Sequence, residues 1–183
     1  MDKLKRILHL VFIALPECML RAVVKYLPCE LMGNKVRFWY YRRRFFALGG
    51  KTVINEGCEI FFPQLIQVGI NCSIGRYSEL NPGPSQATPC LIIGDNSWFG
   101  PYCFFRTANH KFDDPQTLFF LQGHEESKIV IGNGVYAGAH CIFLPGTEIG
   151  DHCVIAAGSV VSGKIPPYSI VAGNPARVVR KRL

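Results

Sequence analysis

From Ile131 onward, apolar residues return at every sixth position. Ile131, Ala137, Phe143, Ile149, Ile155 and Val161 form one column. Four positions after each come Val135, Cys141, Thr147, Cys153, Ser159 and Ile165, a second column that is small or apolar. A helix repeats near 3.6 residues and a plain strand at 2, so neither explains a period of six. A short straight strand plus a corner does. Three such units close a triangular coil of about 18 residues, and stacked coils form a parallel β-solenoid. Gly132, Gly138, Gly150 and Ala156 follow directly after the first column, where a larger side chain would crowd a tight corner.

The same count runs upstream. Val68, Ile74 and Leu80 are in register, with Cys72 and Ser78 in the second column. Ile93, Phe99 and Phe105 follow, with Ser97, Cys103 and Asn109 as their second-column partners, and a fainter unit begins at Ile54 with Cys58. Two stretches break the register. Residues 81–90 form a Pro-rich detour, and residues 111–130 carry no hexads and read as a loop extruded from the solenoid wall. Loops on a rigid scaffold are where binding and chemistry concentrate.

Composition adds three things. A chain of 183 residues with 49% hydrophobic and 18% charged residues is one principal globular domain with room for a core. The charge is uneven: ten Lys/Arg against three Asp/Glu in residues 1–50, ten of each in residues 51–183. Five of the eight cysteines (Cys58, Cys72, Cys103, Cys141 and Cys153) fall in the second inward column and read as small buried fillers. Scattered inward thiols do not pair naturally, and no C-x-x-C spacing offers a zinc site, so a reducing, cytoplasmic setting and no metal are expected.

The N-terminal segment, residues 1–50, is basic and aromatic. Residues 3–15 place cations before an apolar run that is too short to span a bilayer, and Pro16-Glu17-Cys18 is no signal-peptidase site. A second basic block, residues 35–46, mixes Arg with Trp, Tyr and Phe. Helices are expected over 3–27 and 34–47, broken near Pro28 and Gly33. Two readings stay open: a peripheral anchor on an anionic membrane through residues 1–46, or a helical cap over the first coil. No nucleic-acid module accompanies the charge, so no nucleic-acid partner is expected.

Residues 131–180, IGNGVYAGAHCIFLPGTEIGDHCVIAAGSVVSGKIPPYSIVAGNPARVVR, closely resemble the signature of hexapeptide-repeat O-acetyltransferases. The hexad match spans about residues 52–175. The resemblance implies a left-handed parallel β-helix over 51–176, a basic tail at 177–183, a homotrimer, and acetyl-CoA in the groove between neighbouring solenoids. Residues 37–54 look more like acetyltransferases of surface-polysaccharide clusters (colanic acid, O-antigen or capsule). That implies a saccharide acceptor, and the basic, aromatic N-terminus points to a lipid-linked one met at the inner face of the plasma membrane.

Acetyl transfer to an alcohol needs a base to remove the hydroxyl proton and donors for the tetrahedral oxyanion. The resemblance places that base at His110, just before the extruded loop; a surface histidine at a loop hinge is the plain alternative. Asp113 or Asp114 could orient its ring, or a backbone carbonyl could, and solvated loop acids are the competing reading. Asn81, Asn109 and His124 are acceptor-site candidates. By motif position, Tyr136, Ala139, Ala157 and Ser162 face the cofactor, Tyr136 standing where the family often has Trp. Lys164 comes one residue later than the family's lysine. Arg177 and Arg180 suit coenzyme A phosphates, with a solvated tail as the alternative. His140 and His152 occupy outward positions, and His9 belongs to the first expected helix. Other readings are a small non-saccharide acceptor such as serine or an antibiotic, a non-catalytic trimeric scaffold, and a γ-type carbonic anhydrase, whose close histidine pair is missing here.

Overall fold

The structure is a computed structural model that describes residues 15–83 and 88–182. Three parallel sheets form the walls of a triangular solenoid. The first face stacks Ala47–Leu48, Ile66–Val68, Leu91–Ile93, Ile129–Ile131, Glu148–Ile149 and Lys164–Ile165. The second stacks Val53–Ile54, Ser73–Ile74, Trp98–Phe99, Tyr136–Ala137, Val154–Ile155 and Ser169–Gly173, and is closed by the antiparallel strand Ala176–Lys181. The third stacks Glu59–Ile60, Glu79–Asn81, Phe104–Arg106, Ile142–Phe143 and Val160–Val161. Register holds the hexad columns in line: Ile131 pairs with Ile149, and Ile149 with Ile165.

Both inward columns are buried as the period requires. Ile131, Ala137, Phe143, Ile149, Ile155 and Val161 join one core with their upstream counterparts, and Phe105 stacks on Phe143 at 4.6 Å. The second column does more than fill space. Each inward thiol donates to a corner carbonyl of the next coil: Cys58 to Gly75 (3.2 Å), Cys72 to Gly94 (3.1 Å), Cys103 to Gly138 (3.3 Å), Cys141 to Ala156 (3.2 Å) and Cys153 to Pro166 (3.2 Å). Ser97 does the same to Gly132 at 2.9 Å, and its oxygen accepts the Val135 N–H. Small donors are needed there because the corner carbonyls would otherwise be buried without partners.

The corners have a common backbone. Between the first and second faces, Lys51, Asn71, Asn96, Gly134, His152 and Tyr168 all have φ between 54 and 64°. Between the second and third, Gly57, Tyr77, Tyr102, His140 and Gly158 are likewise left-handed. Non-glycine side chains at these corners point outward and stack: Tyr77 on Tyr102 at 5.3 Å, Tyr102 on His140 at 4.9 Å, His152 on Tyr168 at 5.1 Å. That is where the outward placement expected for His140 and His152 comes from. At Gly138 a Cβ would meet the Ala157 backbone nitrogen at 2.7 Å, so the close approach of coils there requires glycine.

The N-terminal segment caps the first coil. Helix α1 (Leu15–Tyr26), a 3₁₀ turn (Cys29–Leu31) and helix α2 (Gly33–Arg42) lie over its open end. Tyr41 and Phe45 enter the core beside Ile54, Cys58 and Ile60. Arg37, only 1% exposed, staples the parts together: it donates to Ile54 O at 2.7 Å, to Leu27 O at 2.6 Å, to Val24 O at 3.2 Å and to Asn34 Oδ1 at 2.8 Å. Carbonyls at the end of α1 carry partial negative charge and so offset the buried cation. The second helix ends at Arg42, not at residue 47. Phe45 turns inward, and Ala47–Leu48 already pairs with Gln67 and Val68 as the first strand. Residues 3–14 of the first expected helix, with His9, lie outside the described residues.

Both interruptions leave the same corner, between the third and first faces. The detour follows Glu79–Asn81, and the larger excursion follows Phe104–Arg106. They pack on one another: Gly83 N–H donates to Thr107 Oγ1 at 2.7 Å, and the Cys90 thiol lies 3.7 Å from the same hydroxyl. The excursion is more regular than a loop over 111–130 and begins earlier, leaving the coil at Thr107 and rejoining the wall at Ile129. Ala108–His110 and His124–Glu126 pair antiparallel, and Ile129–Ile131 is back in the first face. Asn109 is therefore exposed on this hairpin, not inward, because the chain has left the coil at Thr107 and the hexad count no longer applies.

Candidate active site

The hairpin lifts His110 clear of the solenoid. Its cross-strand partner is His124, with ring centroids 4.2 Å apart, and the Phe119 ring lies roughly perpendicular to His110 with centroids 5.9 Å apart. Both histidines are exposed. Alternation along the strands puts Ala108, His110, His124 and Glu126 on one side and Asn109 with Glu125 on the other. Asn109 thus faces away from His110.

Neither aspartate lies where an orienting partner would. The Asp114 carboxylate accepts the Gln116 N–H at 2.9 Å and the Thr117 hydroxyl at 2.6 Å, and the Thr117 bond foremost holds it below the usual carboxylate range. Gln122 ties the same turn, donating to Asp114 O at 2.9 Å and Thr117 O at 2.7 Å. Asp114 is thus committed to building the hairpin tip, and Asp113 is exposed beside it. Within the subunit, the rings against His110 are His124 and Phe119.

Asn81 does meet the hairpin. It ends its strand on the third face opposite Arg106, and its carbonyl accepts the Thr107 N–H at 3.4 Å, at the hairpin root. Its side-chain amide donates to Glu79 at 2.9 Å. Two residues that the hexad count did not single out also matter, Glu126 at the hairpin root and Trp98 on the second face. Glu126 presents its carboxylate to Gly83, where a Cβ would meet it at 2.6 Å; one oxygen is buried without a hydrogen-bond partner among the described residues. Nothing in the spacing distinguishes it from other loop acids. Trp98 is the second: it pairs with Tyr136 on the second face, both about half-exposed, and its indole N–H donates to Asn71 O at 3.2 Å. Its position, directly before an inward column residue as Tyr136 precedes Ala137, was the available signal.

The remaining candidates fall into two groups. Tyr136, Ala139 and Ala157 run along the second face and its next corner, where Gly158 N–H donates to Ala139 O at 2.9 Å. Ser162 sits at the opposite corner, and Lys164 on the first face pairs with Glu148 at 3.1 Å, both largely exposed. An exposed pair of this kind contributes little. Arg177 and Arg180 lie on the last strand, donating to Ala176 O (2.8 Å) and Lys181 O (3.1 Å), with no carboxylate paired to them among the described residues. Their charge is therefore available to an anion.

Comparison with known proteins bears on this arrangement. The profile "Bacterial transferase hexapeptide (six repeats)" matches residues 128–163. The chain is 32% identical over 139 residues to galactoside O-acetyltransferase of Escherichia coli (strain K12), covering 71% of this chain and 64% of that protein. It is 32% identical over 116 residues to a chloramphenicol acetyltransferase of Agrobacterium fabrum, covering 63% and 51%. The crystal structure of a hexapeptide-repeat acetyltransferase from Vibrio cholerae, complexed with acetyl coenzyme A, superposes with a TM-score of 0.70 at 30% identity, over 80% of this chain and 76% of that one. The chain spans from about a third to just under two thirds of the length of the curated relatives it matches. With the three-sided parallel coil, this likeness assigns the left-handed parallel β-helix.

Proposed function

We propose, since the chain belongs to the hexapeptide-repeat acetyltransferase family, that it transfers an acetyl group from acetyl-CoA to a hydroxyl of a saccharide. The acceptor in this reading is an intermediate of surface-polysaccharide assembly, such as O-antigen, capsule or exopolysaccharide. The observation that carries the reading is His110, held exposed on a hairpin whose root meets Asn81. The imidazole accepts the acceptor's hydroxyl proton as that oxygen bonds to the acetyl carbonyl carbon. The tetrahedral oxyanion collapses, the carbon–sulfur bond breaks, and the leaving thiolate takes the proton back from the imidazolium as coenzyme A. His124 and the Phe119 edge hold the His110 ring in this role, with Asn81 toward the acceptor. Asp113, Asp114 and Asn109 contribute to the shape of the hairpin rather than to the proton transfer.

The small side chains of Ala139 and Ala157 leave the corner open to a pantetheine arm beside Tyr136, and Arg177 and Arg180 supply cations for the phosphates. Ser162 and Lys164 lie across the solenoid from Tyr136, so one cofactor touching both groups has to lie between two copies. This geometry supports a homotrimer with its sites at the interfaces. Incubation with isotopically labelled acetyl-CoA and lipid-linked glycans from the source cell tests the reading. Label in a glycan ester supports it; binding of acetyl-CoA without any labelled glycan contradicts the saccharide acceptor. The likeness to a chloramphenicol acetyltransferase favours one second reading, a small alcohol acceptor. Label in chloramphenicol or serine, with none in glycans, would establish that instead.

A further inference from the structure

Each capping helix turns an apolar face away from the solenoid. On α1 the side turned to the solenoid carries cations: Arg21 donates to Ile60 O at 2.7 Å and Lys25 pairs with Glu59. The side turned away is apolar, with Met19 68% exposed, Leu20 51% and Val23 61%. A helix that only capped a coil would show the reverse pattern, an apolar stripe inward and polar residues in water. On α2, Arg37 is buried and Tyr41 enters the core, while Val36 and Trp39 face out, Trp39 at 63%. The connecting turn adds Leu31 and Met32, both exposed. Leu20, Leu31, Met32, Val36 and Trp39 line an open groove of about 680 Å³ between the helices, with Lys35 on its wall; Met19 and Val23 stand exposed on the outer side of α1.

Lys35, Arg42 and Arg43 border this apolar surface. Arg42 lies over the Phe38 and Trp39 rings at 5.7 and 5.6 Å, and Arg43 is exposed beside it. Residues 1–50 hold ten Lys/Arg against three Asp/Glu, while the rest of the chain is balanced. An exposed apolar face bordered by Lys and Arg, with Trp and Tyr at its edge, has the chemistry of an interfacial segment on an anionic bilayer. No helix among the described residues is long and apolar enough to cross a membrane, so the contact is one of lying on the surface.

We propose that the outward faces of α1 and α2 form a membrane-docking surface for anionic phospholipid, so that one end of the solenoid is a cap on its inner side and an anchor on its outer side. This does not rest on the acyl-transfer reading. The test is flotation of the full chain with vesicles of phosphatidylglycerol and phosphatidylethanolamine in equal parts, beside vesicles of phosphatidylcholine alone. The chain floats with the anionic vesicles, less with the neutral ones, and the bound fraction falls as salt is raised. Val23→Gln with Trp39→Gln, both at exposed positions, lowers the partition coefficient roughly ten-fold or more, because two interfacial side chains are lost. Unchanged melting temperatures confirm that the fold is intact. No binding by the full chain, or equal binding by the double variant, overturns the proposal. A change in oligomeric mass with no change in flotation overturns it in favour of a second copy on this face. Turnover of a soluble acceptor, measured without vesicles, tests the chemistry separately.

Discussion

The hairpin and the coils above it use backbone pairing to opposite ends. From Ile129 to Ile165 each coil rests on the one below, and the inward side chains are sealed in a common core. Across the hairpin the two strands pair only with each other, and His110, His124, Phe119 and Phe120 are left in solvent. The coils tolerate nothing larger at Gly138, whereas the tip is held by a few side-chain bonds from Gln122 and Asp114. The coils thus carry the buried core, and the hairpin, where the proposed base sits, stands outside it.

The contrast can be broken from the coil side. Phe143 is fully buried and stacked on Phe105, so Phe143→Ala is expected to cost about 3–5 kcal/mol of stability. Denaturant unfolding measures this, while turnover per folded molecule stays near wild type. The cap responds almost as strongly. Arg37→Ala leaves the carbonyls of Ile54, Val24 and Leu27 without their donor, at a cost of roughly 3 kcal/mol. Hydrogen exchange then rises first in α1 and α2, not in the coils.

Alkaline pH separates the regions by their thiols. Burial pushes Cys58 from its ordinary 9.0 up to about 11, and Cys72, Cys90 and Cys153 upward as well. A thiol that ionises later in the fold than in the unfolded chain gives its full contribution below pH 9 and loses it as pH rises toward 11. Melting temperature should therefore fall across that window, by an amount equivalent to about 2–3 kcal/mol for Cys58. A flat profile from pH 8 to 11 would contradict the buried-thiol account. The smallest effect comes from a single ladder bond. Ser97→Ala removes the hydroxyl between Gly132 O and Val135 N–H, for about 1–2 kcal/mol by thermal melts.

The coils were legible because a period of six admits one geometry. Where inward columns were read, from Ile54 to Ile165, the residues are buried, with Asn109 the exception. That residue failed because the count continued past Thr107, where antiparallel pairing replaces the coil and turns Asn109 outward. Cys72 and Cys103 read as fillers, because their bonds to the next coil depend on corner carbonyls that no local pattern reveals. The second expected helix, over 34–47, stops at Arg42 because Phe45 enters the core and Leu48 pairs in the first strand. Asp114 looked like an orienting acid by proximity along the chain, but its turn uses it first. The His110–His124 pairing and the burial of a Glu126 oxygen against Gly83 arise from contacts across the hairpin and the detour, which spacing alone does not encode.

The central claim is that the chemistry sits on the hairpin and the fold does not depend on it. The most direct measurement is acetyl transfer from labelled acetyl-CoA by wild type and His110→Ala, with melting curves on both. The account predicts a loss of about 10²–10⁴-fold in kcat/KM with the melting temperature unchanged. Transfer by His110→Ala at the wild-type rate would contradict it.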